Sequence, residues 1–288
     1  MVQARRIVPV MILALGLGAS ACKSKAKKAP AAQAGSATTG SGPGSTAPAK
    51  PEIPPTIHGV SPQEAVADPS RTAEDKALDA GRKPVELLNF LGVGRGMKVA
   101  EILAGGGYTA ELLARVVGPE GMVFAENPKA ILDMFAEKPW SERLARAKMP
   151  WLVRVDRELD DPLPPEAKDL DLVVMNLVYH DTVAMGLDRT GMNGAIWKAL
   201  KPGGSLVIID HVAAPGGDPA QVAKELHRID PTFVQTEVEQ SGFTLAGTSN
   251  MYENKADTKD WSTSPSAAGD KRGTSDRFAM VFRKRTGK

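Results

Sequence analysis

The chain of 288 residues has a net charge of +2, 42% hydrophobic residues and a single cysteine. That balance excludes a nucleic-acid binder working through a long basic face, and one cysteine excludes a disulfide framework. The apolar content is ample for one domain of roughly 200–250 residues.

The chain opens MVQARRIVPVMILALGLGASAC, with Arg5 and Arg6 ahead of an apolar run from Ile7 to Gly18. That run is shorter than the about 20 residues a membrane-spanning helix needs. Small residues then lead into Cys22. The pattern resembles a bacterial lipoprotein signal, in which the peptide is cut before the cysteine and its thiol is lipidated. Ala19 departs from the leucine usual at its position. The resemblance implies a signal peptide over 1–22, lipidation of Cys22, and a domain outside the cytoplasm held to a bacterial membrane in the cell envelope. An uncleaved anchor and an ordinary signal peptide are the other readings, while the surroundings of Arg5 and Arg6 fit twin-arginine export poorly. From Lys23 to Ile57, Ala, Pro, Gly and Lys predominate and large apolar residues are almost absent. Such a segment cannot offset chain entropy by burial and reads as a disordered tether over 23–57. The folded domain is then 58–288.

Helical patterning begins at Pro62, breaks at Pro69 and restarts at Pro84, where proline suits a first helical turn. A strand MKVAEIL follows, then a glycine turn and a helix YTAELLARVVG. Strands GMVFAEN, PWLVRVD and LDLVVMNLVYHD come next. The last is nearly all apolar at its centre, as expected of a strand covered on both faces. Helix MNGAIWKAL enters the turn KPGG, and a fifth strand SLVIIDH leaves it. A helix around PAQVAKELHRI and two strands, GFTLAGTSN and RFAMVFRKR, complete the order. The alternation predicts an α/β fold, doubly wound around a mostly parallel sheet. No internal repeat is visible.

The stretch EILAGGGYTAELLA from Glu101 to Ala114 runs three glycines into a helix start. Glycine lets the backbone approach a ligand closely, and a helix N-terminus presents free amides. Gly105, Gly107 and Ala110 satisfy the dinucleotide form G-x-G-x-x-A, with Glu126 about 20 residues on. Taken alone, the stretch leaves NAD, FAD, S-adenosyl-L-methionine (SAM) and a purely structural turn all open.

The phrase ALKPGGSLVIID, in fifth-strand position after a glycine cradle on the first strand, resembles class I SAM-dependent methyltransferases. RKPVELLNFLGVGRGMKVAEILAGGGYTAELLA, NLVYHD, IDH, HRIDP and SDRFAMVFRK are more narrowly similar to a family of predicted bacterial methyltransferases. The likeness spans the chain from about Ala65 to Arg285. It implies a seven-stranded Rossmann-like sheet whose last strand is antiparallel, with SAM as cofactor. A nicotinamide oxidoreductase domain would instead continue with parallel strands.

The resemblance also implies roles. Glu101 matches the acid ending the first strand, and Gly105 and Gly107 match the glycines beside the methionine part of SAM. Leu103 replaces the first glycine of the common form. The ribose-acid slot falls on Asn127, with Glu126 one residue early; strand alternation lets only one of the pair face the ligand unless the strand has ended. Asp156 is the candidate for the adenine amino group, or an exposed helix cap. Asn176 is a polar contact to the transferring region. Tyr108 either shields the sulfonium through a cation–π contact or belongs to the core.

Methyl transfer requires a positioned acceptor and, for a hydroxyl or amine, removal of a proton. Ligands of open α/β sheets bind beyond the carboxyl ends of the strands. His180 in VYHD and His211 in IDH stand there, on strands that neighbour each other in this class. His180 is the first candidate base, oriented by Asp181 or Asp210, and His211 the second. The same residues also read as a helix cap and a packing residue under a loop. Tyr179 borders the same edge. The spacing of the two His-Asp pairs is not diagnostic of a metal site, and no metal is expected.

The segment 251–275 is long for a hairpin connection and reads as a functional lid or as disordered. Trp261 within it is a candidate substrate contact or an anchoring aromatic, and Arg277 has no assigned role. The expected activity is methyl transfer to a small-molecule or envelope acceptor. Because SAM is made in the cytoplasm, a non-catalytic lipid-anchored binding protein that retains the fold is the alternative.

Overall fold

A computed structural model describes residues 59–285. The segments expected to be a signal peptide, ending at Cys22, and a tether lie outside the described residues. The first described element, α1 (Pro62–Ala67), is started by a reciprocal capping box between Ser61 and Glu64. Thr72 caps α2 (Ala73–Arg82), which stops where Lys83 turns left-handed, and Pro84 opens α3 (Pro84–Leu91). Two helices therefore meet at one residue, in agreement with the restart read at Pro84.

Strand β1 (Lys98–Glu101) leads through the glycine turn into α4 (Tyr108–Val117), and β2 (Met122–Asn127) follows. A short helix α5 (Lys129–Ile131) runs through a π-helical turn, Leu132–Ala136, into α6 (Glu137–Ala147). Then come β3 (Leu152–Asp156), β4 (Leu170–Asn176), α7 (Tyr179–Ala184), α8 (Arg189–Ala199) and β5 (Leu200–His211). Helices α9 (Pro219–Leu226) and α10 (Pro231–Gln240) are each capped by an aspartate and opened by a proline. Strands β6 (Phe243–Ser249) and β7 (Arg277–Lys284) close the fold.

The seven strands form one sheet in the order β3-β2-β1-β4-β5-β7-β6. Strands β1 to β5 pair in parallel, and β7 runs antiparallel between β5 and β6. The predicted doubly wound sheet with its antiparallel last strand is the observed one. Val99, Val123, Leu172 to Met175 and Leu206 to Ile209 are buried, which explains their unbroken apolar runs. The strand order reverses at β1, so β1 and β4 open a crevice at their carboxyl ends.

Two boundaries differ from the sequence expectation. The fourth strand stops at Asn176, because Leu177 takes a left-handed φ of 64°. Tyr179, His180 and Asp181 consequently form the first turn of α7 rather than a strand end. The KPGG segment belongs to β5, whose Leu200 pairs with Leu170 before an irregularity restores register at Leu172 and Ser205.

Candidate active site

The turn after β1 is built by β2. The backbone N–H of Leu103 donates to Glu126 Oε2 at 3.1 Å, and that of Ala104 to the Glu126 carbonyl at 2.8 Å. The next amide, Gly105 N–H, donates to Asn127 Oδ1 at 2.7 Å, and Asn127 Nδ2 returns a bond to the Gly105 carbonyl at 3.1 Å. Three consecutive amides are thus held by two consecutive residues. Both side chains reach the turn because Asn127 is the last residue of its strand. Leu103, standing where glycine is usual, has φ 55°, a conformation that costs an L-residue roughly 1–2 kcal/mol. The Glu126 bond helps hold it there. Burial pushes the Glu126 carboxyl up to about 8, so it is largely protonated at neutral pH.

This construction gives the two residues expected at the ribose a place in the cradle itself. Glu126 and Asn127 are fully buried; Glu126 Oε2 and both ends of the Asn127 amide engage the cradle, Glu126 Oε1 has no partner, and neither residue lines the cavity beyond. Asp156 is exposed and pairs with Arg154 at 2.8 Å, also away from the cavity. Gly107 is a packing glycine: a Cβ there would lie 2.2 Å from Trp140 Cζ3. Gly105 does line the cavity, and a Cβ there would meet nothing nearer than Phe135 Cε2 at 4.0 Å.

Behind the cradle, Arg143 of α6 donates from Nε to the Gly106 carbonyl and forks onto Asp75 of α2 at 2.7 and 2.8 Å. It also pairs with Glu111 of α4. One buried guanidinium therefore ties three helices to the turn.

The cavity itself has a volume of about 970 Å³ and lies along the carboxyl edge of β1, β4 and β5. Glu101 forms part of its wall, is buried, and has Oε2 without a partner. Burial pushes this carboxyl up to about 7, against the pull of Thr109 and Arg82. Asn176 lines the cavity and donates to Thr109 Oγ1 at 3.2 Å. Tyr108 donates its hydroxyl to Asp79 at 2.6 Å, and Arg82 covers its ring at 4.4 Å. Phe135, 58% exposed on the π-helical turn, adds an aromatic surface next to Gly105.

The far end of the cavity is organised by Asp210, at the end of β5 and fully buried. Its carboxylate accepts the His180 backbone N–H at 2.8 Å and the His180 Nδ1–H at 2.7 Å. The His211 backbone N–H donates to it as well, at 2.8 Å. His180 Nε2 then lies 3.3 Å from Asp181 Oδ1. Burial opposes charge on His180, but the Asp210 and Asp181 carboxylates outweigh it and push the ring up to about 10. An imidazolium at neutral pH has no free lone pair, which counts against His180 as the base expected from sequence. His211 is pushed well down by burial and by the charge on His180, and its Nδ1 meets Ser275 Oγ at 2.7 Å. Tyr179 turns into the core, bonding Glu237 at 3.1 Å and Asn193 at 3.2 Å.

The connection between β6 and β7 forms the remaining wall. Thr263 to Ser266, Arg272 and Gly273 line the cavity. The segment is pinned by a fully buried pair, Arg228 to Asp257, bonded at 2.8 and 3.1 Å. Trp261 donates to Asp257 at 2.7 Å and stacks on Arg228 at 4.7 Å, so it is an anchor and does not line the cavity. Arg277 stands opposite His211 in the β5–β7 register and lines the cavity. Its guanidinium lies 4.1 Å over Tyr252 and donates to the Gly81 carbonyl at 2.7 Å.

The structure thus gathers Glu101, Gly105, Asn176, His180, Asp181 and His211 around one cavity. His227, Phe135 and Arg82 also line it, though none stands out in the sequence. HRIDP carries His227, but only folding brings it to Asp181.

Solved structures similar to this chain include methyltransferases. A SAM-dependent methyltransferase from Aquifex aeolicus is similar with a TM-score of 0.51 and 18% identity, over 74% of this chain and 98% of that one. The fold is the class I methyltransferase fold. A candidate sarcosine dimethylglycine methyltransferase from Galdieria sulphuraria gives 0.52 and 17%, over 77% and 90% of the two chains. A candidate methyltransferase in complex with the Haloferax volcanii Trm112 methyltransferase activator gives 0.51 and 16%, over 77% and 96%. No family model and no curated protein matches the sequence. Such identities speak for the fold and leave the acceptor open.

Proposed function

We propose that the protein is a SAM-dependent methyltransferase acting on a small-molecule or envelope acceptor. The observation that carries the reading is the partnerless, buried Glu101 Oε2 in the wall of a cavity at the switch point of a methyltransferase fold. A buried carboxylate oxygen with no donor suits an ammonium group, and SAM carries one on its methionine part. Bound SAM would supply an electrophilic methyl on sulfur.

The chain's own residues then bind and orient. Glu101 would hold the amino group, and the Gly105 backbone allows close approach beside it. Phe135 offers a face for a flat purine. Asn176 lines the cavity with its amide held by Thr109, and the His180–Asp210–His211 end would receive the acceptor. The wall of Thr263 to Ser266 limits water access. Glu126 of β2 is engaged through Oε2 by the cradle and does not line the cavity, so backbone groups of the cradle would serve the ribose hydroxyls.

We further propose that Cys22 is lipidated and holds the domain at a membrane; among the described residues no helix is long and apolar enough to cross one. Mass spectrometry of the mature N-terminus tests this, and an unmodified chain beginning at Met1 overturns it. For the activity, calorimetric titration with SAM and S-adenosylhomocysteine is the test. Binding weakened at least about 10-fold by E101Q, the loss of one charge-assisted contact, is expected. Absence of binding by the wild-type chain would refute the enzyme reading. Binding without turnover on any acceptor would favour a binding protein that retains the fold.

A further inference from the structure

The end of the cavity opposite the glycine cradle carries more ligand chemistry than methyl transfer requires. Three of the chain's four histidines, His180, His211 and His227, come from α7, β5 and the end of α9 to this one edge. One ligand atom each from His180, Asp181 and His227 lie mutually within 4.8 Å. Asp181 Oδ1 is 3.3 Å from His180 Nε2 and 3.6 Å from His227 Nδ1. Tetrahedral ligands at about 2.0–2.1 Å from a zinc ion stand roughly 3.3–3.4 Å apart. The two contacts to Asp181 are close to that spacing, and the His180–His227 edge, within 4.8 Å, would tighten around an ion. The contact between His180 Nδ1 and Asp210, at 2.7 Å, is by contrast an ordinary hydrogen bond.

That hydrogen bond is the second observation. Imidazoles that bind metals usually donate their other ring N–H to a carboxylate, which fixes the tautomer and aims the free nitrogen. Asp210 does this for His180 from a fully buried position, and its grip on the His180 backbone N–H fixes the residue as well. His211 stands beside the set, its ring centroid 5.9 Å from that of His180, with Nδ1 engaged by Ser275. Charge also balances: a divalent ion would be neutralised by Asp181 in contact and Asp210 behind.

We propose that His180, Asp181 and His227 bind a divalent transition-metal ion of the zinc class, with an open coordination position facing the cavity. Two imidazoles and one carboxylate suit such an ion, whereas magnesium and calcium call for oxygen ligands throughout. Three protein ligands with a free fourth position is the arrangement of ions that bind water or substrate; structural zinc sites are closed by four. Binding displaces the proton that the carboxylates otherwise hold on the His180 ring. The ion's role, to hold an acceptor oxygen near the transferring methyl, rests on the methyltransferase reading; its binding does not.

The test uses the full chain, stripped with a chelator and titrated with zinc by calorimetry, then with cobalt(II) by visible absorption. One zinc per chain at micromolar affinity or tighter is expected, with cobalt absorption of a four- or five-coordinate nitrogen-oxygen site. H227N replaces a half-exposed side chain outside the core, so it keeps the fold where a His180 variant risks losing it. H227N and D181N should each weaken zinc about 100-fold. Zinc affinity weaker than about 100 µM, or unchanged in both H227N and D181N, overturns the site. S-adenosylhomocysteine titrated into the same samples separates the two proposals: its binding without zinc removes only the metal site. Zinc binding without it removes only the methyltransferase reading.

Discussion

Gly105 and Gly107 look equivalent in the sequence, two glycines of one cradle, yet alanine at each should do different things. At Gly107 the backbone has φ 77°, and a Cβ would sit 2.2 and 2.5 Å from two ring carbons of Trp140 and 3.0 Å from Arg143 Cδ. Trp140 is fully buried and Arg143 is locked by Asp75 and Glu111, so neither can give way. The left-handed conformation costs alanine roughly 1–2 kcal/mol, and overpacking a tight core adds about 1–3 kcal/mol. G107A should therefore lose about 2–5 kcal/mol, a large part of the roughly 5–15 kcal/mol that a domain has. Gly105 has φ 56° and open space around its would-be Cβ, so G105A should lose only the conformational part, about 1–2 kcal/mol. Its new methyl, however, stands in the cavity wall. Urea denaturation of both variants, paired with calorimetric titration of S-adenosylhomocysteine, reads the two effects separately. G107A should unfold at much lower urea while its folded fraction still binds. G105A should remain folded and bind at least about 10-fold more weakly, the equivalent of about 1.4 kcal/mol. Equal stability losses in the two variants, or a G107A as stable as the wild type, would refute the division of labour between them.

Glu126 should make the wild type lose stability with rising pH. Its folded pKa of about 8 exceeds the usual carboxyl value, so the native state holds the proton longer, and this contribution is full below about pH 4.5 and fades up to about pH 8. E126Q should flatten that slope between pH 5 and 9 in urea titrations; an unchanged slope would show that Glu126 ionises freely. SAM affinity should rise between pH 6 and 8 as Glu101, with its pKa near 7, ionises, and E101Q should abolish the rise in calorimetry. Breaking the buried Arg228–Asp257 pair by D257N should cost about 3–5 kcal/mol and speed amide exchange across 257–276. Exchange unchanged there would mean that the cavity wall is held by something else.

The sheet was legible because its strands carry unbroken apolar runs, and the ligand edge because a glycine turn follows the first of them. LKPGG and the two closing strands distinguished this fold from a nicotinamide domain. What stayed hidden depends on contacts between distant residues. Glu126 and Asn127 read as ribose ligands by spacing, but spacing cannot say that the turn's own amides use them first. Helix α6 contains Pro139 and follows a π-helical turn, which blurs its period. Helix α10 reads PTFVQTEVEQ, with Val and Thr recurring where a strand would have them. His227 gives no local signal at all. It matters because the chain end of α9 is packed beside Asp181, and no periodicity reports that.

Asp210 has one carboxylate with three donors on it, two from His180 and one from His211. Substitutions at this edge should therefore not act independently. D210N exchanges an acceptor for an amide whose nitrogen faces a donor, so it would disturb the orientation of both histidines together. Double-mutant cycles among Asp210, His180 and His211 should then return large coupling energies, whereas Glu101 paired with any of them should return nearly additive ones. One acid at the end of β5 makes the far end of the cavity a single cooperative unit, and single alanine substitutions there measure the unit rather than its members.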